Sequence, residues 1–139
     1  MKTIYLVTML WVVGGNELCA QSSEYWQIEK TLFYYLDGGT NNDFETLKKA
    51  FHENATMKFI SNDGYKEMNA LVFFKNGITS GPKQNRNTSV ISIDITGNAA
   101  MAKLKIEYAS FNFIDYMQLL KIEGEWKIVN KTFYRQQIK

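Results

Sequence analysis

The sequence predicts a single α+β domain in which amphipathic helices come first and a long antiparallel sheet comes last. Three observations carry that expectation. Apolar residues recur at helical spacing early in the chain, as in Tyr25, Ile28, Leu32 and Leu36. From Thr88 onward the apolar period falls to two, punctuated by the two-residue hairpin loops Gly97-Asn98 and Glu123-Gly124. A length of 139 residues, with 45% hydrophobic and 22% charged residues, suits one domain with its own core and not two.

Residues 1–20 read as a signal peptide. Lys2 supplies the positive start, "IYLVTMLWVV" the apolar centre, and Ala20 the small residue before a cut at Gln21. That run is shorter than the roughly 20 apolar residues a bilayer span requires, so no stable membrane span is expected in the mature chain. Export to the periplasm or the medium follows, with residues 21–139 as the mature domain. A lipid anchor at Cys19 is the rival, disfavoured because "NEL" puts no small residue just before the cysteine.

The first helix is "SSEYWQIEKTLFYYLDGG", stopped by Gly38-Gly39. The second is "NNDFETLKKAFHENA", with Asn42 and Glu45 at capping-box spacing and Phe44, Leu47 and Phe51 on one face. "TMKFISNDGYKE" is a short strand turning at Asp63-Gly64, and "KEMNALVFFKNG" a third helix closed by Gly77. A loop, "ITSGPKQNRN", contains Pro82, and its basic cluster Lys83 to Arg86 reads as solvated.

Four strands complete the chain. The Gly97-Asn98 loop pairs Ile95 with Ala100, Ile93 with Ala102 and Ile91 with Leu104. A bend at "ASFN" pairs Tyr108 with Phe113, Ile106 with Asp115 and Leu104 with Met117. The Glu123-Gly124 loop pairs Leu119 with Ile128, Met117 with Asn130, Asp115 with Thr132 and Phe113 with Tyr134. Together these registers build one apolar face with a single carboxylate, Asp115, on it. The other face, with Val90, Lys103, Lys105, Glu107, Tyr116, Gln118, Leu120, Lys127 and Val129, mixes charge with apolar patches and permits a homodimer.

Several chemistries are excluded by composition. Cys19 is the only cysteine and His52 the only histidine, so neither a thiolate centre in the mature chain nor a histidine-rich metal site is expected. No dinucleotide or phosphate-loop glycine motif is present, and no cofactor is expected. A net charge of +2 offers no polyanion surface, so no nucleic-acid partner is expected.

Three stretches carry a family resemblance: "TLFYYLDG", "LKKAFHENATMKFI" and "DITGNAAMAKLKIEYASFNFIDYMQLLKIEGEWKIVNKTF". On these the chain resembles the NTF2-like superfamily, and within it the putative lumazine-binding (SnoaL-like) family of small, often exported bacterial proteins. The resemblance implies a cone: a curved sheet wrapped around a long helix, with an apolar cavity at the open end. Relatives include ketosteroid isomerases, polyketide cyclases, dehydratases and epoxide hydrolases, which use cavity carboxylates, histidines or tyrosines. Other relatives serve as binding or dimerisation modules, so the fold does not choose the function.

Asp115 is the leading catalytic candidate. Burial on an apolar concave face favours the neutral acid and tunes a carboxyl towards proton transfer. Tyr108, Asn130, Thr132 and Tyr134 share its expected face and could donate to a developing oxyanion. Against this, Asp115 could simply accept hydrogen bonds that hold the sheet register. His52 is the second candidate, and the bland alternative places it on the flank of a helix's last turn, favoured there by the helix dipole. Tyr34, Phe59, Phe113 and Met117 are candidate ligand contacts, as are the aromatics Trp26, Tyr35, Phe73 and Phe74, although at these spacings such residues usually form core. The function expected is binding of a small apolar or aromatic molecule in the cone. The alternatives are cofactor-free acid–base catalysis, and an interaction domain whose cavity is plugged by Trp26, Phe59 or Met117.

Overall fold

The structure is a computed structural model that describes residues 15–138, and side chains from Ser23 onward. The expected apolar centre of the signal peptide lies almost wholly in residues 1–14, outside the described residues. In order the elements are α1 (Gly15–Thr40), α2 (Phe44–Lys48), β1 (Phe51–Ser61), β2 (Gly64–Asn69), α3 (Ala70–Gly77), β3 (Asn87–Thr96), β4 (Ala99–Glu107), β5 (Phe111–Ile122) and β6 (Glu125–Gln137). The strands form one sheet in the order β2-β1-β6-β5-β4-β3. Every neighbouring pair is antiparallel except β1 and β6, which run parallel. The sheet is therefore mixed, where the sequence alone predicts an antiparallel one.

Helix α1 lies in the hollow of the curved sheet and buries Ile28, Leu32, Tyr35 and Leu36 along one stripe. Its outer end is pinned to the last hairpin. Glu24 accepts from Lys121 Nζ at 2.6 Å and from Trp126 Nε1 at 2.7 Å, and Thr31 Oγ1 donates to the Trp126 carbonyl at 3.0 Å. The helix does not stop at Gly38-Gly39 but continues through both to Thr40. Close approach explains these glycines. A Cβ on Gly38 would sit 2.4 Å from the Leu47 backbone nitrogen, and one on Gly39 2.5 Å from Arg86 Nη2.

Asn42 turns the chain at φ 56°, and Asp43, not Asn42, caps α2. The Asp43 carboxylate accepts from Thr46 N at 3.1 Å and from Thr46 Oγ1 at 2.6 Å. Helix α2 then ends after five residues. Phe51 and His52 belong to β1, because β6 pairs with this segment at Phe51–Ile128 and strand pairing overrides helical periodicity, while β2 joins the other edge only from Thr56 onward. Lys66 to Asn69 are likewise strand, with Asn69 capping α3 through Val72 N at 3.0 Å.

The registers decide what faces inward. Between β3 and β4, Ile95 and Ile93 pair as expected, but a bulge then sets Val90 opposite Leu104. Val90 packs on the core, and Ile91 is 52% exposed. Between β4 and β5 the turn is tighter than expected, with Tyr108 N donating to Phe111 O at 2.9 Å. Leu104 therefore pairs with Asp115 and Ile106 with Phe113, and this two-residue shift leaves every face unchanged. Asp115 stays inside.

The third register differs in kind. Leu119 pairs with Ile128 as expected, but Gln118 pairs with Asn130, so Val129 is one residue too many on β6. Beyond that bulge the alternation of β6 reverses: Met117 pairs with Lys131, Asp115 with Phe133 and Phe113 with Arg135. Lys131 and Phe133 turn inward. Asn130, Thr132 and Tyr134 turn to the other face, against the expectation from an unbroken strand, and Tyr134 is 67% exposed.

Substituting Gly38→Ala is expected to destabilise the domain by about 1–3 kcal/mol, because the added methyl meets backbone that cannot yield. Gly77→Ala, at the end of α3 with nothing near its Cβ position, should be neutral or gain up to about 1 kcal/mol. Urea midpoints of the two variants against wild type check this.

Candidate functional site

Between α1, α3 and the inward sheet face lies a cavity of about 130 Å³. Met57, Phe73, Phe74, Ile106, Phe113 and Phe133 give it an apolar wall, and Tyr35, Arg86, Asp115 and Lys131 supply its polar groups. Two of the larger concavities, of about 420 and 410 Å³, are surface clefts. One lies on the sheet beside Met101, Gln118 and Leu120, the other beside Trp26, Phe33 and Tyr34. Neither these nor the clefts of about 290 and 170 Å³ are lined by a buried charged side chain, whereas the smaller cavity is lined by two, which makes it the candidate site.

Asp115 is completely buried, and Lys131 is 4% exposed. A lone ion of either kind would be too costly to keep in an apolar interior. Each is tolerated because the other is there: the Lys131 ammonium sits directly on Asp115 Oδ1. The Tyr35 hydroxyl donates to the second carboxylate oxygen, Oδ2, at 2.7 Å. The ammonium also lies 4.8 Å from the centre of the Phe133 ring and 5.4 Å from that of Tyr35.

These surroundings bias the proton-carrying groups. Burial pushes the Lys131 ammonium below its ordinary value; the Asp115 charge and hydrogen bond oppose this, and the Arg86 charge adds to it. The Tyr35 phenol is held well above its usual value, first by burial and then by the negative charge of Asp115 and the hydrogen bond to it.

Arg86 comes from the loop that was expected to be solvated, yet it reaches the cavity wall. It donates from Nε to Thr40 Oγ1 at 2.9 Å, from Nη1 to Tyr108 Oη at 2.9 Å and from Nη2 to the Leu36 carbonyl at 3.2 Å. The Tyr108 hydroxyl passes its proton towards Gln84 Oε1 at 2.6 Å, and Gln84 Nε2 donates to Gly39 O and Asn42 Oδ1. The end of α1 and the loop before β3 are thereby held together, and Arg86 is aimed by neutral partners alone.

The structure brings some candidate residues to this site and not others. Asp115 and Phe113 line the cavity, and Tyr108 stands behind Arg86. Phe59 stacks on the back of Phe133 at 4.9 Å. Met117 is wholly buried core and does not line the volume. Tyr34 points to the opposite flank of α1, where its ring meets Lys49. Asn130 is occupied on the other sheet face by Thr56 and Gln118, Thr132 lies opposite Tyr116 there, and Tyr134 is exposed. His52 does not approach Asp115 as a dyad would require. It follows Phe51, whose ring packs on Tyr35, so strand alternation turns the imidazole away, and its Nδ1 accepts from Asn54 N at 3.2 Å. Trp26 is 66% exposed and plugs nothing.

Comparison with known proteins agrees with the fold. The model of the family described as "Putative lumazine-binding" matches residues 23–134. The chain belongs to that family. Among solved structures, an NTF2-like protein of unknown function from Shewanella baltica superposes on this member of the lumazine-binding family with a TM-score of 0.75 and 28% identity, covering 83% of this chain and 95% of that one. A second NTF2-like protein of unknown function, from Methylobacillus flagellatus, gives 0.73 and 28%, over 82% and 93% of the two chains. Among curated proteins, "Aldolase FrzH" from a Cladobotryum species is 23% identical over 81% of this chain and 92% of its own length.

Two predictions follow from the buried pair in this family member. Lys131→Met leaves a carboxylate buried without its cation and should cost about 3–5 kcal/mol, while Asp115→Leu combined with Lys131→Met should recover most of that loss. Chemical denaturation of the single and double variants measures both. The phenol of Tyr35 ionises more readily in the unfolded chain, near its ordinary value of 10.0, than in the folded one. The folded state therefore binds more protons in that window, and its contribution, intact below pH 10.0, is lost as pH rises towards the folded value. Tyr35→Phe should flatten the stability profile above that pH, as read from unfolding curves collected across the alkaline range.

Proposed function

We propose that the protein binds a small, flat, largely apolar molecule in the cavity, with an oxygen acceptor turned towards Lys131 and Arg86. The observation that carries this reading is an apolar cavity whose inner end is a buried, hydrogen-bonded Asp115–Lys131 pair. A volume of about 130 Å³ suits a single ring, since a cavity of about 150 Å³ holds benzene. One carboxylate faces two cationic side chains there, so an oxygen bearing partial or full negative charge is favoured. The family's description supports a heterocyclic ligand. Lumazine itself, with two fused rings, would need the rim residue Phe73, already 38% exposed, to swing aside.

A second reading is cofactor-free acid–base catalysis, with Asp115 as the base and the Tyr35 hydroxyl as the donor to a developing oxyanion. What favours it is the direct 2.7 Å contact between those groups at the cavity wall, together with a relative named as an aldolase. Export and a homodimer complete the proposal. Removal of residues 1–20 would spare the packed part of α1, whose first buried residue among those described is Ile28. The outer sheet face shows Met101, Tyr116 and Leu120, each at least 40% exposed, as an apolar strip that a second copy would cover.

Titration with benzoate, followed by backbone amide NMR, should shift resonances of Phe113, Asp115, Lys131 and Phe133 and leave the Trp26 cleft unchanged. Phe113→Trp, which narrows the cavity, should weaken that binding by roughly tenfold, a loss of about 1.4 kcal/mol. Shifts confined to surface lysines would overturn the binding reading.

A further inference from the structure

We propose that Lys131 is a carbonyl-capturing nucleophile, whose Nζ condenses with a small aldehyde or ketone held in the cavity while Asp115 carries the protons. This deepens the binding reading and rests on it, since the carbonyl compound must first enter the volume beside Phe113 and Phe133.

Among the described residues Lys131 is the one buried amine. An ion pair whose sole task was to hold the sheet register would be covered by packing. Here both partners border a volume of about 130 Å³, Lys131 with a sliver of surface towards it and Asp115 directly behind. The apolar rings deprive the amine of water, and Arg86, a second cation on the same wall, disfavours its protonation. Asp115 touches the amine and provides the base that a nucleophilic lysine needs. The Tyr35 hydroxyl, on the other carboxylate oxygen, orients that base.

The step balances with these groups alone. Asp115 takes one proton from the ammonium, leaving a neutral amine. The nitrogen lone pair forms a bond to the carbonyl carbon, and the C=O π electrons move to oxygen, which takes the proton from Asp115. Asp115 then removes a second proton from nitrogen, giving a neutral carbinolamine. As the nitrogen lone pair forms the C=N bond, the C–O bond breaks and the hydroxyl leaves as water with that proton. Overall one ammonium and one carbonyl become one iminium and one water, with Asp115 a carboxylate before and after. The iminium inherits the ammonium's place beside that carboxylate, so the buried charge stays compensated throughout.

The test uses the wild-type protein, because Lys131→Met is expected to be unstable. Benzaldehyde and cyanoborohydride at pH 7 reduce any iminium to a stable secondary amine, and peptide mass mapping locates it. Exposed lysines lack the aromatic wall and the adjacent carboxylate that hold a carbonyl beside Lys131, so the expected result is one benzyl group, on Lys131, with labelling suppressed by benzyl alcohol. Asp115→Asn should slow labelling of Lys131 by roughly tenfold or more. Labelling spread over surface lysines with Lys131 untouched overturns the inference. If benzyl alcohol still shifts the amides of Phe113 and Phe133 in that case, the binding reading survives; if it shifts neither, that reading falls as well. An unchanged rate in Asp115→Asn overturns the proton-carrying role.

Discussion

A carboxylate and an ammonium occupy the same dry volume, and the surrounding structure is arranged so that neither is ever alone. Asp115 has no exposed surface and Lys131 almost none, so each would be expelled or neutralised without the other. Holding them in contact requires that β5 and β6 keep one register and that Tyr35 point down from α1, against the opposing charge of Arg86 that its loop carries to the same wall. The ring of Tyr35 is wedged between Phe51 and Phe74, at 5.6 and 5.7 Å, which ties the hydroxyl's aim to the packing of β1 and α3. One polar contact thus draws on α1, α3, β1, β5 and β6 together.

The bulge at Val129 is the structural device behind that contact. A regular strand with Ile128 inside would place Asn130, Thr132 and Tyr134 inside as well. One extra residue returns Lys131 and Phe133 to the interior, and the Phe133 ring then closes against Phe59 and Phe113. Bulges cluster where a strand must re-aim a side chain, and here the re-aimed side chain is the charged one. The glycines of α1 act on a similar scale. Gly38 lets α2 come close enough for Asn42 and Asp43 to turn the chain into it, and Gly39 leaves room for the Arg86 guanidinium.

A cavity with a fixed carboxylate, a desolvated amine and an oriented hydroxyl is unlike a plugged hydrophobic core. A few polar groups are set into a mostly aromatic wall, the arrangement expected of a small-molecule site. In the proposed readings, binding a flat ligand and capturing its carbonyl would be successive uses of the same geometry. The polar network of Thr40, Gln84, Arg86 and Tyr108 stiffens the side of the cavity that carries the second cation. It uses neutral partners for Arg86, which leaves the guanidinium charge uncancelled where a ligand oxygen would lie.

By itself the sequence determined the fold class, the hairpin positions, the inward placement of Asp115 and the lack of a histidine-rich metal site. These are local or compositional properties: periodicity of two, turn residues such as Gly97-Asn98, and a count of one histidine. Even the misjudged turn before Phe111 did no damage to the face assignment, because a shift of two residues preserves alternation. Only the tertiary structure decided the partner of Asp115. Nothing in "KIVNKTF" marks Val129 as a bulge, since an extra residue is selected by the parallel pairing with β1 and by packing on both sheet faces. The conversion of Phe51 and His52 from helix to strand has the same origin, in partners distant along the chain. So does the recruitment of Arg86, whose short basic segment looks solvated until Thr40, Leu36 and Tyr108 are brought around it. Pairing of faces is written locally, but the reversal of a face by one residue depends on long-range contacts, and the chemistry of this site lies beyond that reversal.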